Sequence, residues 1–332
     1  MLDDLGSFIE LDIPSGKEYY REEIYGSHNV CQLNSCRSAI VHSINILMVD
    51  TVYLPLYECD TVLEEVKKYC KVNIKLYKLD WDFQPIVNFQ KENSAIVVCN
   101  YFGIFGKKHF DFLRTKFKNI IIDNAQAFYS KPYMDCLNCY SPRKFLGVPD
   151  GGYVVGKNAS QKSEKYPRDF SSKTASFLLE RIEYGCTGLA YDSKKKNDSR
   201  IDISGTRKMS ILTKKLLGNM KYQDYISKRK DNFNIARKYF DKLNLIPIEK
   251  FLDDDCVPYV YPLLIEKDGI IESFHENHIY HGHWWEYLVD ITEAKTLEHT
   301  LSKYIIPITI DQRYSEEDII RQYNIVENVL NS

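Results

Sequence analysis

The hydrophobic positions of this chain fall into short dense runs separated by stretches of helical spacing. Val30-Cys31-Gln32-Leu33, Val52-Tyr53-Leu54 and residues 73–79, 95–99, 119–122, 136–140 and 153–155 are rich in β-branched and aromatic side chains and read as strands. Between them, residues 39–48, 61–69 and 110–117 carry the apolar spacing of helices. Near-continuous apolar strands alternating with helices predict an α/β fold with a mixed, mainly parallel sheet covered on both faces. A lead-in through Gly26 precedes it, with a turn at Pro14-Ser15-Gly16 before a short helix. Residues 157–202 are charged and irregular, with a helical centre at 175–184. Helical stretches follow at 208–217 and 222–243, each with a solvated Lys/Arg face. The last third reads as a smaller α+β unit: strand 260–265, helices 270–277 and 294–304, strand 305–310 and a terminal helix 315–330. Ser315-Glu316-Glu317-Asp318 forms a capping-box-like start for that last helix. The expected organisation is a large α/β domain over 1–205, then long helices and a small C-terminal domain over 206–332.

With 332 residues, 44% hydrophobic and 13% aromatic, the chain belongs with ordinary globular proteins. A net charge of −2 without a long basic run argues against nucleic acid or an anionic membrane as the main partner. The apolar run 39–49 is interrupted by His42, Ser43 and Asn45 and is too short to span a bilayer. Nine scattered cysteines and no signal-like segment after Met1 point to a reducing cytoplasm. Cys136-Leu137-Asn138-Cys139 has CxxC spacing but no second pair, so neither redox nor metal chemistry is expected of it. His275, His278, His281 and His283, beside Trp284 and Trp285, lack a carboxylate or cysteine at ligand spacing. They are expected to form a strand or loop of the small domain rather than to bind a metal.

In a parallel sheet of this kind ligands gather beyond the carboxyl ends of the strands. Those ends carry Asn34-Ser35-Cys36-Arg37, Pro55-Leu56-Tyr57, Asn100-Tyr101-Phe102-Gly103, Asp123-Asn124-Ala125-Gln126 and Ser141-Pro142-Arg143-Lys144. The first is a strand, a polar turn and a helix start, whose free N–H groups suit a phosphate, with Arg37 able to add a charge-assisted bond. A plain N-cap by Asn34 or Ser35 is the simpler alternative. Asp123 emerges from an apolar strand and needs a cationic partner, which a protonated pyridine nitrogen would supply. Lys144 alone reads as a surface lysine. Beside cationic groups and partly desolvated, it is expected to have a lowered pKa and to serve as a nucleophilic amine. Phosphate cradle, buried acid and lysine, in that order, are what a pyridoxal-phosphate protein must provide.

Ile122-Asp123-Asn124-Ala125-Gln126-Ala127 resembles the (E/D)-D-x-A-Q-A segment of the DegT/DnrJ/StrS nucleotide-sugar aminotransferases, and Lys144 precedes Gly151-Gly152 at the family's interval. Asn34 to Ala39 is similar to its N-S-G-T-x-A phosphate turn, and Asn100-Tyr101-Phe102-Gly103 to its (H/N)-x-(Y/F)-G strand end. Ile305-Ile306-Pro307-Ile308 with Ser315-Glu316-Glu317-Asp318 resembles its C-terminal ending. The resemblance implies an aspartate-aminotransferase-like large domain (fold type I) and pyridoxal 5'-phosphate as cofactor. Lys144 would bind the cofactor and move protons at the amine-bearing carbon, Asp123 would hold the pyridinium, and Gln126 would contact the phenolic oxygen. Cys36 and Arg37 would offer N–H groups to the phosphate. The implied substrates are a nucleotide-linked keto-sugar and an amino-acid donor, glutamate, in polysaccharide or amino-sugar synthesis by a homodimer.

Several positions depart from the pattern. Cys36 and Arg37 replace the phosphate-turn glycine and threonine, and Cys139 stands at the phosphate serine, with Ser141 as the nearby substitute. Cys59 stands at the ring-stacking aromatic, with Tyr57 as its replacement, and Thr206 begins the segment where the family has an asparagine. These departures motivate a second expectation, a fold relative without transaminase activity that binds a sugar or a partner. Lys144 argues against a third, a dehydratase of the same family, whose members carry histidine there.

Overall fold

The computed structural model describes residues 6–88 and 91–332. Its strands are β1 (Val30–Leu33), β2 (Thr51–Pro55), β3 (Asn73–Leu79), β4 (Pro85–Ile86), β5 (Ser94–Cys99), β6 (Ile120–Asn124), β7 (Leu137–Tyr140), β8 (Gly152–Val155), β9 (Tyr261–Leu264) and β10 (Ile305–Ile308). Its helices are α1 (Glu22–Tyr25), α2 (Cys36–Leu47), α3 (Asp60–Tyr69), α4 (Lys107–Lys116), α5 (Ser176–Tyr184), α6 (Leu189–Ser204), α7 (Ile211–Gly218), α8 (Tyr222–Phe240), α9 (Ile270–Glu276), α10 (Tyr287–Ile291), α11 (Leu297–Tyr304) and α12 (Glu316–Asn331).

The first eight strands form one sheet in the order β1-β8-β7-β6-β5-β2-β3-β4. β3, β2, β5, β6 and β7 run parallel, while β8 is antiparallel to both β7 and β1. The carboxyl ends of β1, β2, β5, β6 and β7 therefore open on the same edge. The consequence is that the five polar segments singled out above lie along one rim.

Alternation along the strands divides the core. Val52, Leu54, Val97, Ile121, Cys139 and Val154 face α2 and α3. The other face, with Tyr53, Ile96, Val98, Ile120 and Ile122, packs on α4, α8, β9 and β10 in a single apolar cluster. β9 and β10 pair antiparallel, Ile305 opposite Leu264, into a small second sheet. An aromatic group around Tyr20, Phe128, Tyr140, Phe145 and Tyr153 fills the space beside β7 and β8. α12 begins at Ser315, whose backbone N–H and hydroxyl both donate to Asp318, at 2.8 and 3.1 Å.

The charged stretch read as irregular contains α6, a full 16-residue helix. It is polar nearly all round, which removes the apolar periodicity by which a helix is recognised. Its position is fixed instead by Asn197, which is fully buried and donates to the Pro149 carbonyl at 2.7 Å, and by ion pairs from Asp198 and Asp202.

Candidate active site

Ser35 has extended backbone and caps α2, its hydroxyl accepting from the Ser38 N–H at 3.1 Å. The first N–H groups of the helix, at Cys36 and Arg37, remain available at its positive end. Asn34 serves the frame: its side-chain amide donates to Gly205 and Ser204, its Oδ1 accepts from the Arg207 N–H, and its carbonyl accepts from Gly151. Gly152 lies against the Ser35-Cys36 peptide, where a Cβ would stand 2.9 Å from the Cys36 nitrogen and closer still to the Ser35 carbonyl. Gly152 is thus required by a close approach of β8 to the start of α2, and Gly151 by its positive φ of 125°.

Asp123 lies at the carboxyl end of β6, 5% exposed. One of its oxygens accepts the Ala125 N–H at 2.7 Å and the Cys36 thiol at 3.5 Å, which joins the acid to the beginning of α2. Lys144 sits in a single helical turn (Pro142–Lys144) after β7. Its ammonium is 5.9 Å from the centre of the Tyr259 ring. It has accessible surface because it projects into a cavity of about 510 Å³ between α5, α6 and the C-terminal segments. Burial alone would lower its pKa, as the sequence led us to expect. Tyr259, Asp123, Cys59 and Glu58 around it outweigh that and hold the ammonium above the ordinary lysine range. The correction has a plain cause: the neighbours that matter are acids, not the cations beside Lys144 in sequence.

Glu58 is the residue that sequence reasoning missed. It follows β2 by three positions and is 8% exposed, with the Cys99 thiol donating to one carboxyl oxygen at 2.7 Å and the Cys59 N–H to the other at 2.9 Å. Ligating atoms of Glu58, Cys99 and Asp123 all lie within 4.8 Å of one another. Burial and the charge of Asp123 push Glu58 up to about 8, so it carries its proton at neutral pH. Burial also raises Asp123, opposed by its hydrogen bonds and by Lys144. A buried acid at a strand's carboxyl end was the available signal, but Glu58 stands in a loop without an apolar run to mark it.

The remaining expected site residues divide. Cys59 is near Lys144, its thiol 2.9 Å from the Thr61 hydroxyl. Ser141 is buried just ahead of Lys144, and its hydroxyl has no hydrogen-bond partner among the described residues. Gln126 is buried, with its Oε1 accepting the Phe102 N–H at 2.6 Å; this supports Phe102 in a left-handed conformation (φ 59°) and leaves the side-chain NH2 for another acceptor. Tyr57 has its ring fully buried against Tyr101 and edge-on to Trp285, with centroids 5.5 and 4.4 Å away. Arg37 is ion-paired with Asp202, and Arg143 with Asp198, so both guanidiniums near the start of α2 are bound to α6.

His278, His281 and Trp284 line the cavity, Trp284 stacked on Phe102 and Tyr259 at 5.5 and 5.9 Å. His281 has its Nε2 3.0 Å from the Thr309 hydroxyl and 3.3 Å from the Gln322 Oε1, and burial holds its pKa down to about 4. Cys136 and Cys139 fall on opposite faces of the sheet, in different core clusters, so they do not form one chelating pair. Arg229 of α8, 1% exposed, donates to Gln312 at 2.9 Å and to the Tyr259 carbonyl at 3.0 Å, and lies 4.6 Å over the Phe145 ring. Gln312 in turn donates to the Phe145 carbonyl at 2.9 Å. Arg229 therefore braces the residue after Lys144 against the ring that faces Lys144.

An antiparallel strand joined to a parallel sheet, with Lys144, Asp123 and the start of α2 along its rim, is a fold that the chain shares with solved aminotransferase structures. Among solved structures, the chain is similar over 92% of its length to a DegT/DnrJ/EryC1/StrS aminotransferase from Brucella abortus, at 13% identity, 87% coverage of that chain and a TM-score of 0.60. It is likewise similar to the sugar aminotransferase CalS13 from Micromonospora echinospora (12% identity, 92% and 89% covered, TM-score 0.61) and to the aminotransferase TlmJ from Streptoalloteichus hindustanus (13%, 93% and 88%, 0.63). These likenesses are of fold, and they establish that fold across nearly the whole chain. No family profile and no curated protein matches the sequence.

Proposed function

We propose that this chain is a pyridoxal-5'-phosphate-dependent aminotransferase that places an amino group on a nucleotide-linked keto-sugar, with glutamate as donor, for polysaccharide or amino-sugar synthesis in the cytoplasm. The observation that carries the reading is the facing of Lys144 and Asp123 beside the start of α2. The residues fit the cofactor. An anionic Asp123 suits a ring N–H, the open N–H groups of Cys36 and Arg37 suit a phosphate, and the unpartnered Ser141 hydroxyl and Gln126 NH2 are donors still to be used. When bound, the cofactor supplies an electron sink for the bond broken at the amine-bearing carbon.

The chain's own residues do the rest. Asp123 keeps the ring nitrogen protonated, held in place by Ala125 and Cys36. Lys144 would hold the cofactor and would be the group that moves the proton at the amine-bearing carbon. The cavity adjoining Lys144 accepts the substrate, with Trp284 and Tyr259 as flat walls and Arg181 and Arg313 as donors for anionic groups. Exposed Phe170, Leu179, Ile182, Tyr184 and Ile203, on and around α5 and α6, support a second copy as partner.

The test is spectroscopic. Purified protein given pyridoxal phosphate develops a visible absorbance band, borohydride abolishes it and leaves the pyridoxyl mass on Lys144, and Lys144→Ala shows neither. A wild type that stays colourless overturns the reading. Such a result would favour a sugar-binding relative without transaminase activity, to which the capture of Arg37 and Arg143 by α6 lends support.

A further inference from the structure

Two carboxyl groups, Glu58 and Asp123, and the Cys99 thiol meet at the carboxyl edge of the sheet, all buried, with their ligating atoms within 4.8 Å of one another. Groups from six elements face Glu58. β5 contributes Cys99, β6 Asp123, the start of α3 Cys59, the turn after β7 Lys144, and β3 Tyr77; the Tyr287 hydroxyl of α10 donates to the Glu58 carbonyl at 2.8 Å, and Tyr101 lies beyond Cys99. Only Lys144 among them brings a positive charge.

We propose that Glu58 works as a carboxylic acid that shares its proton with Asp123, and thereby fixes at one the negative charge that Asp123 presents to a cationic ring nitrogen. The inference rests on the reading of Asp123 as the partner of that nitrogen. Two like charges this close in a dry site are not both ionised when one cation answers them. The elevated pKa of Glu58, at about 8, agrees with that count. Glu58 is a positioning residue: its carboxyl lies within 4.8 Å of that of Asp123, and it acts on the cofactor through it.

Infrared difference spectroscopy on the unliganded protein tests this without the cofactor, so a failure of the transaminase reading is seen separately, in the absence of the borohydride-stable adduct. The expected result is a neutral-carboxyl band that disappears as pH rises through about 8. The band is absent in Glu58→Gln and returns in Glu58→Asp. In Asp123→Asn, which removes the neighbouring charge, the midpoint drops by about one pH unit or more. This second variant keeps the test decisive if Glu58→Gln does not fold. A band that persists in Glu58→Gln, or a midpoint unmoved in Asp123→Asn, overturns the proposal.

Discussion

Gly152 lies directly on the Ser35 carbonyl, so the strand that follows Lys144 and the helix start beside Asp123 touch with no side chain between them. A methyl group there has no flexible neighbour to displace, since everything it meets is backbone. Gly152→Ala is expected to cost about 1–3 kcal/mol in urea unfolding and to weaken pyridoxal phosphate binding as the start of α2 is pushed away. Gly147→Ala is the control: its Cβ would meet Leu178 at an ordinary 3.8 Å, and stability should stay within about 0.5 kcal/mol of wild type.

Arg37 and Asp202 form an ion pair with the Asp202 side chain 45% exposed, so little stability depends on it. Asp202→Asn releases the guanidinium beside the open N–H groups of α2. The expected outcome is a change in unfolding free energy under about 1 kcal/mol together with several-fold tighter, more salt-sensitive binding of pyridoxal phosphate. Equilibrium titration at two ionic strengths measures it. Unchanged affinity would assign Arg37 to holding α6 alone.

How much of this was legible beforehand follows from where the determinants lie. β1 and β3 were readable to the residue: β1 is an apolar run between turn residues, and β3 intersperses Ile74, Leu76, Tyr77 and Leu79 with Lys75 and Lys78 before Asp80. The order of Asn34, Asp123 and Lys144 along one rim followed from parallel topology. α6 was not readable, because polar contacts to Arg37, Arg143 and Pro149 hold it and leave no periodic signature. Glu58 was missed for a similar reason: its meaning depends on Asp123, 65 positions away in sequence and reached only across β5. The lowered pKa expected of Lys144 failed because neighbours in sequence stood in for neighbours in space.

Arg181 faces the cavity from α5 and has no ion-pair partner among the described residues, whereas Arg313 is held by Asp311 at 2.7 Å. An unpaired guanidinium lining the same cavity as Tyr314 and Trp284 is suited to an anionic group on the substrate. Arg181→Ala is expected to raise KM for a nucleotide-linked sugar by about 10-fold or more, from the loss of a charged hydrogen bond. The absorbance of bound cofactor should not change, because Lys144 and Asp123 are untouched. A KM that stays at the wild-type value would remove Arg181 from substrate recognition.

Glu58 also makes stability depend on pH in a direction unusual for a carboxyl group. Its folded pKa, about 8, lies above the ordinary 4.5, so between those values the folded state holds a proton that the unfolded state has released. Stability from this group is therefore greatest below about pH 4.5, falls as pH rises to about 8, and is level above that. Asp123, raised in the same sense, adds to the fall at its lower end. The raised Lys144 pKa affects stability only above the ordinary lysine range, outside this window. Glu58→Gln keeps the size of the side chain and removes its titration. Urea unfolding at pH 5 and pH 8.5 should find the variant gaining on wild type by more than about 1 kcal/mol between the two, one pKa unit being worth about that much. Parallel pH dependences in the two proteins would mean that Glu58 is ionised in the folded state, with Lys144 neutralising both acids.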